Sequence, residues 1–256
     1  MALKILGIIP ARFASTRFPG KPLAEILDKP MIQWVYERTS QVFEHVYVAT
    51  DDDRIQKAVE FFGGKVVMTS ASHQSGTDRC AEALEIIETN TNTKFDIIVN
   101  IQGDEPFIQP EQLRKVANCF NDSTVQLATL VKQFAKNEDI FNPNSPKVIL
   151  NKKDEAIYFS RSVIPFIRSK DKSEWAANHS FYKHVGLYAY RSDILREITK
   201  LAQSPLELAE SLEQLRWIEN GYRIKVEKTD METLSVDTPE DLERVKEFAK
   251  SVLKNT

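Results

Sequence analysis

The feature that most constrains this chain is a regular alternation of short apolar runs with amphipathic segments through its first half. KILGII (4–9), VYVAT (46–50), KVVMT (65–69) and FDIIVNIQ (95–102) have the length and near-continuous apolarity of strands buried on both faces. Between them, MIQWVYERTSQVF (31–43), DDRIQKAVEFFGG (52–64), SGTDRCAEALEIIE (75–88) and PEQLRKVANCF (110–120) place apolar residues at helical spacing. Asp52 or Asp53 can cap the second helix and Gly63 can end it, while Pro110 suits the first turn of the fourth. Strand and helix in strict alternation predict a parallel sheet with helices on both faces. Right-handed crossovers then gather the C-terminal strand ends along one edge, where ligands bind in such sheets.

The second half changes character. VQLATLV and KHVGLYAYR (183–191) read as strands, and KVILNKKDEAIYFS as a hairpin turning at Lys152 to Glu155. Residues 206–220 and 238–253 read as helices, whereas NPNSP and IRSKDKSEWAANHS read as polar loops. These segments are expected to extend the same sheet and to form a dimer module.

Composition narrows the partners. With 34 basic and 37 acidic residues the net charge is −3, so no overall basic surface for nucleic acid or anionic membrane is indicated. No apolar run reaches the length of a membrane span, and Ile5 to Ile9 is too short for a secretion signal. The expectation is a soluble cytoplasmic protein that binds neither nucleic acid nor membrane. Cys80 and Cys119 form no CxxC pair and read as thiols in a reducing compartment.

Three stretches carry chemistry. IIPARFASTRFPGKPL (8–23) follows the first strand and gathers Arg12, Arg17 and Lys21 around Ser15, Thr16 and Gly20. Loop amides and hydroxyls there can cradle phosphate oxygens while the cations neutralise them. Pro22 stands where a Walker A loop needs Ser or Thr, and the dinucleotide GxGxxG spacing is missing. A merely solvated basic turn is the competing reading. NIQGDEP (100–106) ends the fourth strand and sets Asp104 at the same edge, where one or two carboxylates plus phosphate oxygens suffice for Mg²⁺; plain turn chemistry is the alternative. VDTPEDLERV (236–245) is a helix start with Asp237 or Thr238 as cap, which by itself requires no active-site role. Together, the basic loop and carboxylates at one sheet edge fit phosphoryl or nucleotidyl transfer.

These motifs, with VATDD, HQSGTDR (73–79), FNPNSPKV, YFSRSVIP, HVGLYAY and SPLELAESLEQLR in that order, resemble the 3-deoxy-manno-octulosonate cytidylyltransferase (CMP-Kdo synthetase) family almost end to end. The resemblance implies a single three-layer α/β/α, Rossmann-like nucleotidyltransferase domain over 1–256, with a mostly parallel mixed central sheet and a β-rich insertion for dimerisation. Residues 1–122 would form the CTP-binding half, and 123–256 the sugar-acid-binding and dimerisation half. It implies the reaction of CTP with the sugar acid Kdo, dependent on Mg²⁺, in a homodimer serving lipopolysaccharide biosynthesis. By the same resemblance Ala11, Arg12, Arg17, Lys21 and Gln102 would hold the nucleotide. Ser75, Gly76, Thr77, Asp78 and Arg79 would recognise cytosine and ribose. Asp104 and Asp237 would bind magnesium, and both would act with Lys21 in catalysis. Gln102, Arg161, His184, Tyr188, Glu213 and Gln214 would surround the sugar acid. Alternatives are a cytidylyltransferase for 8-amino-Kdo or N-acylneuraminate, and a non-catalytic nucleotide-binding protein.

Overall fold

The computed structural model describes residues 3–14, 18–232 and 234–253. The chain divides into two compact units, residues 1–114 with 233–256 and residues 115–232.

In the first unit, strand β1 (Ile5–Ala11) leads into a short hairpin of β2 (Glu25–Ile26) and β3 (Lys29–Pro30), then α1 (Met31–Ser40) and β4 (His45–Thr50). The alternation continues through α2 (Asp53–Phe61), β5 (Val66–Met68), α3 (Gly76–Thr91), β6 (Ile97–Asn100) and α4 (Pro110–Asn118), with the unit boundary falling inside α4. β6, β1, β4 and β5 lie side by side in that order, each neighbouring pair parallel. Leu6, Ile8, Ile9, Ile97, Ile98 and Val99 have no solvent exposure, as strands covered on both faces require. The crossovers β1–α1–β4 and β4–α2–β5 step one way across the sheet and β5–α3–β6 steps back. Right-handed connections therefore put α1 and α2 on one face and α3 on the other. Asp52 caps α2 by accepting from the Arg54 amide at 2.9 Å, and Gly63 follows its end at φ 77°.

The second unit pairs its strands differently. β7 (Leu127–Gln133), β8 (Lys147–Leu150), β9 (Ala156–Ser160), β10 (Tyr182–Arg191) and β11 (Ile224–Lys228) are joined through α5 (Trp175–Asn178), α6 (Ser192–Ile198), α7 (Pro205–Glu210) and α8 (Gln214–Glu219). β7 runs antiparallel to β10 and parallel to β11; β8 runs antiparallel to β10 and to β9. The expected hairpin is present, and its turn places Asp154 at φ 53°.

Several expectations fail locally. The single helix expected over 206–220 is two helices, because Ser211 adopts the left-handed conformation at φ 51°. Glu207 closes a capping box with Ser204 and grips Arg216 of α8 through two hydrogen bonds of 2.7 and 2.5 Å, so the break is fixed by a buried ion pair. The segment expected to be loop around Trp175 contains α5, since Trp175 is buried with Phe134, Ile140 and Phe181. Two further elements, β11 and α6, lie outside the sequence expectations; β11 buries Ile224 and Val226 in alternation and α6 buries Ile194, Leu195 and Ile198 at helical spacing, each over only five to seven residues.

The chain closes with α9 (Pro239–Leu253), which belongs to the first unit. Val236, Leu242, Val245 and Ala249 bury against Ile26, Met31, Trp34 and Phe107, and the Trp34 indole donates to the Ile26 carbonyl at 3.0 Å. This docking is what fixes the position of the residues just ahead of α9. Leu242→Ala should lower unfolding free energy by about 2–4 kcal/mol through lost contacts and the cavity left behind, measured by urea denaturation followed by circular dichroism.

Candidate active site

β4 and β6 flank β1 on opposite sides, so the connectivity reverses between β1 and β6. A crevice opens beyond the C-terminal ends of two such strands. Ala11 and Arg12 leave β1 there, and Gln102, Gly103 and Asp104 leave β6. A Cβ on Gly103 would stand 3.1 Å from the Pro10 carbonyl oxygen, so a glycine lets the second loop lie against the end of β1.

The basic loop returns through Gly20, whose φ of 73° suits glycine and whose amide donates to the Phe13 carbonyl at 2.9 Å. A 3₁₀ turn over Lys21–Leu23 follows, with Pro22 early in it. From this turn the Lys21 ammonium reaches Asp104 Oδ2 at 2.6 Å and Asp237 Oδ1 at 3.6 Å. Asp237 is brought in by backbone: the Val236 amide donates to the Asp104 carbonyl at 2.9 Å. Asp237 is not the cap of α9. Thr238 Oγ1 accepts from the Asp241 amide at 3.3 Å, and Asp241 Oδ2 accepts from the amides of Asp237 and Thr238 at 3.0 and 2.9 Å. That reciprocal cap leaves the Asp237 carboxylate to face Lys21.

A cavity of about 350 Å³ opens over this ion pair. Its wall includes Ala11, Arg12, Lys21, Ser75, Gly76, Arg79, Gln102, Asp104 and Asp237, nine of the residues singled out in the sequence. Ser75 caps α3, its hydroxyl accepting from the Asp78 amide at 3.1 Å, so the first turn of a 16-residue helix opens on the cavity. Arg79 is buried, its guanidinium 2.6 Å from Thr69 Oγ1 and 3.2 Å from Asp51 Oδ1. Thr77 and Asp78 do not line the cavity: Thr77 is buried, and Asp78 sits in the first turn of α3. Ser15, Thr16 and Arg17 lie outside the described residues. Pro10, Pro22, Gln74 and Gly103, to which the sequence assigns no binding role, are also wall residues. The Gly–Asp pair at the end of a buried strand was the available signal for Gly103. His73 also lines the wall, with Nε2 2.5 Å from Glu82 Oε2.

Among the described residues no group of three or more His, Cys, Asp or Glu side chains is arranged to hold a metal. Two carboxylates converging on one cation are a donor set for an ion shared with phosphate oxygens rather than for a cage made by protein alone.

In the second unit, His184 Nε2 lies 3.1 Å from Thr129 Oγ1, with the imidazole packed edge-on to Phe159 and tilted against Tyr188. Desolvation lowers its pKa to about 4, so the ring is neutral near pH 7. The Tyr188 hydroxyl and the Gln214 side-chain amide nitrogen are buried without a hydrogen bond of good geometry among the described residues. Burial raises the Tyr188 pKa well above its ordinary value. Glu213 is half-buried immediately ahead of α8. Arg161 is engaged with carbonyls: Nε donates to Glu210 at 2.7 Å, Nη1 to Pro143 at 3.0 Å and Nη2 to Ser211 at 3.3 Å. Neighbouring Lys147 is fully buried, donating to the carbonyls of Asn142 at 2.6 Å and Arg161 at 2.9 Å.

Residues 6–229 match the family described as Cytidylyltransferase, which places this doubly wound sheet in the nucleotidyltransferase class. The 3-deoxy-manno-octulosonate cytidylyltransferase of Parabacteroides distasonis is 61% identical over 250 residues, spanning 96% of this chain and 98% of the relative. That of Bacteroides thetaiotaomicron is 60% identical over 252 residues, spanning 97% and 99%. The solved structure of CMP:2-keto-3-deoxy-manno-octonic acid synthetase complexed with CTP superposes with a TM-score of 0.86 at 42% identity, over 97% of this chain and 99% of that one. The chain belongs to the 3-deoxy-manno-octulosonate cytidylyltransferase family.

The environment of His184 sets a pH signature. Its folded pKa lies below the ordinary 6.5, so its contribution to stability is complete above that value and declines as pH falls toward 4. Its imidazole ¹H–¹³C resonance should stay at the neutral position from well above 6.5 down to pH values near 5 and move only near pH 4; a midpoint near 6.5 would contradict the desolvated, neutral ring.

Proposed function

We propose that the protein transfers the cytidylyl group of CTP to the anomeric hydroxyl of 3-deoxy-D-manno-octulosonate, giving CMP-Kdo and diphosphate for lipopolysaccharide assembly. The observation that carries this reading is the convergence of Lys21, Asp104 and Asp237 in one cavity at the switch point of the parallel sheet. The relatives' shared identity supplies the base and the sugar.

In the transfer, the hydroxyl oxygen forms a bond to the α-phosphorus. The bond from that phosphorus to the bridging oxygen breaks, its electron pair leaves with diphosphate, and the hydroxyl proton passes to water. Lys21 and Arg12 offset the charge of the triphosphate, and the amides at the start of α3 add donors on the cavity wall. Gly103 lets the loop that carries Asp104 lie against the end of β1. Asp104 and Asp237 are the residues that would hold magnesium, which when bound supplies charge neutralisation and lowers the pKa of the attacking hydroxyl. For the sugar acid, three of the five guanidinium N–H groups of Arg161 are fixed on carbonyls, which orients the other two for a carboxylate. The Gln214 amide and Tyr188 hydroxyl are buried groups that a polyhydroxylated ligand would satisfy.

The reading extends to a cytoplasmic homodimer. Cys80 and Cys119 form no disulfide among the described residues, which suits a reducing compartment. On the second unit Ile157 of β9 and Phe166 are exposed by 53% and 71%, apolar area of the kind a subunit contact covers. Sedimentation equilibrium should give twice the chain mass of 29.3 kDa, and a monomer at micromolar concentration would remove the dimer from this reading.

Diphosphate release with CTP, Kdo and magnesium, each omitted in turn, tests the activity. Release should require all three, and 8-amino-Kdo or N-acylneuraminate should replace Kdo poorly. Nucleotide binding without release would instead mark a binding protein. Asp104→Asn should lower turnover by roughly 10²-fold or more, the scale seen when one preorganised charge-stabilising group is removed; near-normal turnover would reject its role.

A further inference from the structure

We infer that Lys21 is an internal counter-ion that keeps a divalent metal out of the Asp104–Asp237 pair until a triphosphate draws the ammonium away. This rests on the reading of the two acids as the metal-binding pair.

The two carboxylates are held near one another by backbone, through the Val236 amide on the Asp104 carbonyl and the docking of α9. Left alone they would repel. Lys21 lies between them, at 2.6 and 3.6 Å, and its own position is set by the turn beginning at Gly20 rather than by chance reach from a flexible loop. The Lys21 side chain is only 15% exposed and that of Asp104 27%, so solvent and salt screen this pair less than a surface pair. A dication entering the empty protein must therefore displace an ammonium already paired with its ligands, and magnesium loses its own waters reluctantly. A triphosphate changes the balance. It offers Lys21 charge-assisted hydrogen bonds to several oxygens and at the same time supplies the remaining donors for the metal. The nucleotide can shift Lys21 only because it binds better to the arrangement in which the ammonium has left the acids. One lysine thus serves two states: it pairs with the carboxylates in the empty protein and with phosphates in the loaded one. Metal enters with nucleotide, and the nucleotide-free protein holds little.

The test is Mn²⁺ binding to nucleotide-free protein, followed by electron paramagnetic resonance of the free ion. Lys21→Met should bind Mn²⁺ more tightly than the unsubstituted protein by about tenfold or more, within the range of linked-site couplings. Adding Asp104→Asn to that variant should abolish the gain. Equal or weaker binding by Lys21→Met, or a gain that survives Asp104→Asn, overturns the inference. Lys21→Gln is the second variant if Lys21→Met does not fold. If neither folds, the unsubstituted protein labelled with ¹⁵N at lysine Nζ decides: magnesium alone should leave the Lys21 ammonium resonance in place, and CTP with magnesium should move it. Movement by magnesium alone overturns the inference. Diphosphate release by the unsubstituted protein is read separately, so a failed counter-ion role and a failed transferase reading give different results.

Discussion

Two carboxylates from distant parts of the chain share one ammonium, and most of the site follows from that contact. Asp104 arrives on the loop after β6 because its strand is buried on both faces and must emerge at the sheet edge. Asp237 arrives because α9 buries an apolar stripe against Trp34 and Phe107, and because the Val236 amide completes a hydrogen bond to Asp104. Lys21 arrives on a turn that only a glycine at position 20 makes inexpensive. None of the three elements alone predicts a reaction. Their meeting falls at the reversal of a parallel sheet, where ligands bind in such folds.

The helix start at Thr238 shows how structure and chemistry divide the work. An Asp–Thr–Pro sequence ahead of a helix ordinarily makes the aspartate a candidate cap. Here Thr238 and Asp241 cap one another, and Asp241 takes both leading amides. The carboxylate of the neighbouring Asp237 lies 3.6 Å from the Lys21 ammonium. A similar division occurs around Arg161, where carbonyls of three separate residues hold the guanidinium plane.

The first unit was legible in the sequence because buried parallel strands and their helices differ sharply in period, and because Asp52, Gly63 and Pro110 punctuate them as local chemistry demands. Of the cavity-wall residues, Arg12, Lys21 and Asp104 are legible because they sit on loops that follow buried strands, whereas Ala11, Ser75, Gly76, Arg79, Gln102 and Asp237 are given by the family resemblance. The second unit was less legible. The break at Ser211 depends on the buried contact of Glu207 with Arg216, which no local window reveals. β11 is five residues long, so its alternation of Ile224 and Val226 with Lys225 and Glu227 is a brief signal, and its parallel pairing with β7 is what defines it. The carbonyl partners of Arg161 come from segments remote in sequence, so its surroundings were unreadable until the chain was folded.

The return of residues 233–256 to the first unit has a consequence for how the site comes into being. During synthesis the parallel sheet, Lys21 and Asp104 all emerge before any of residues 115–232, yet Asp237 emerges after them. A nascent chain can therefore complete its sheet and still lack half of its acid pair. The acid pair can form only once residues 115–232 have been made, so a ribosome stalled within the second unit carries Lys21 and Asp104 without Asp237.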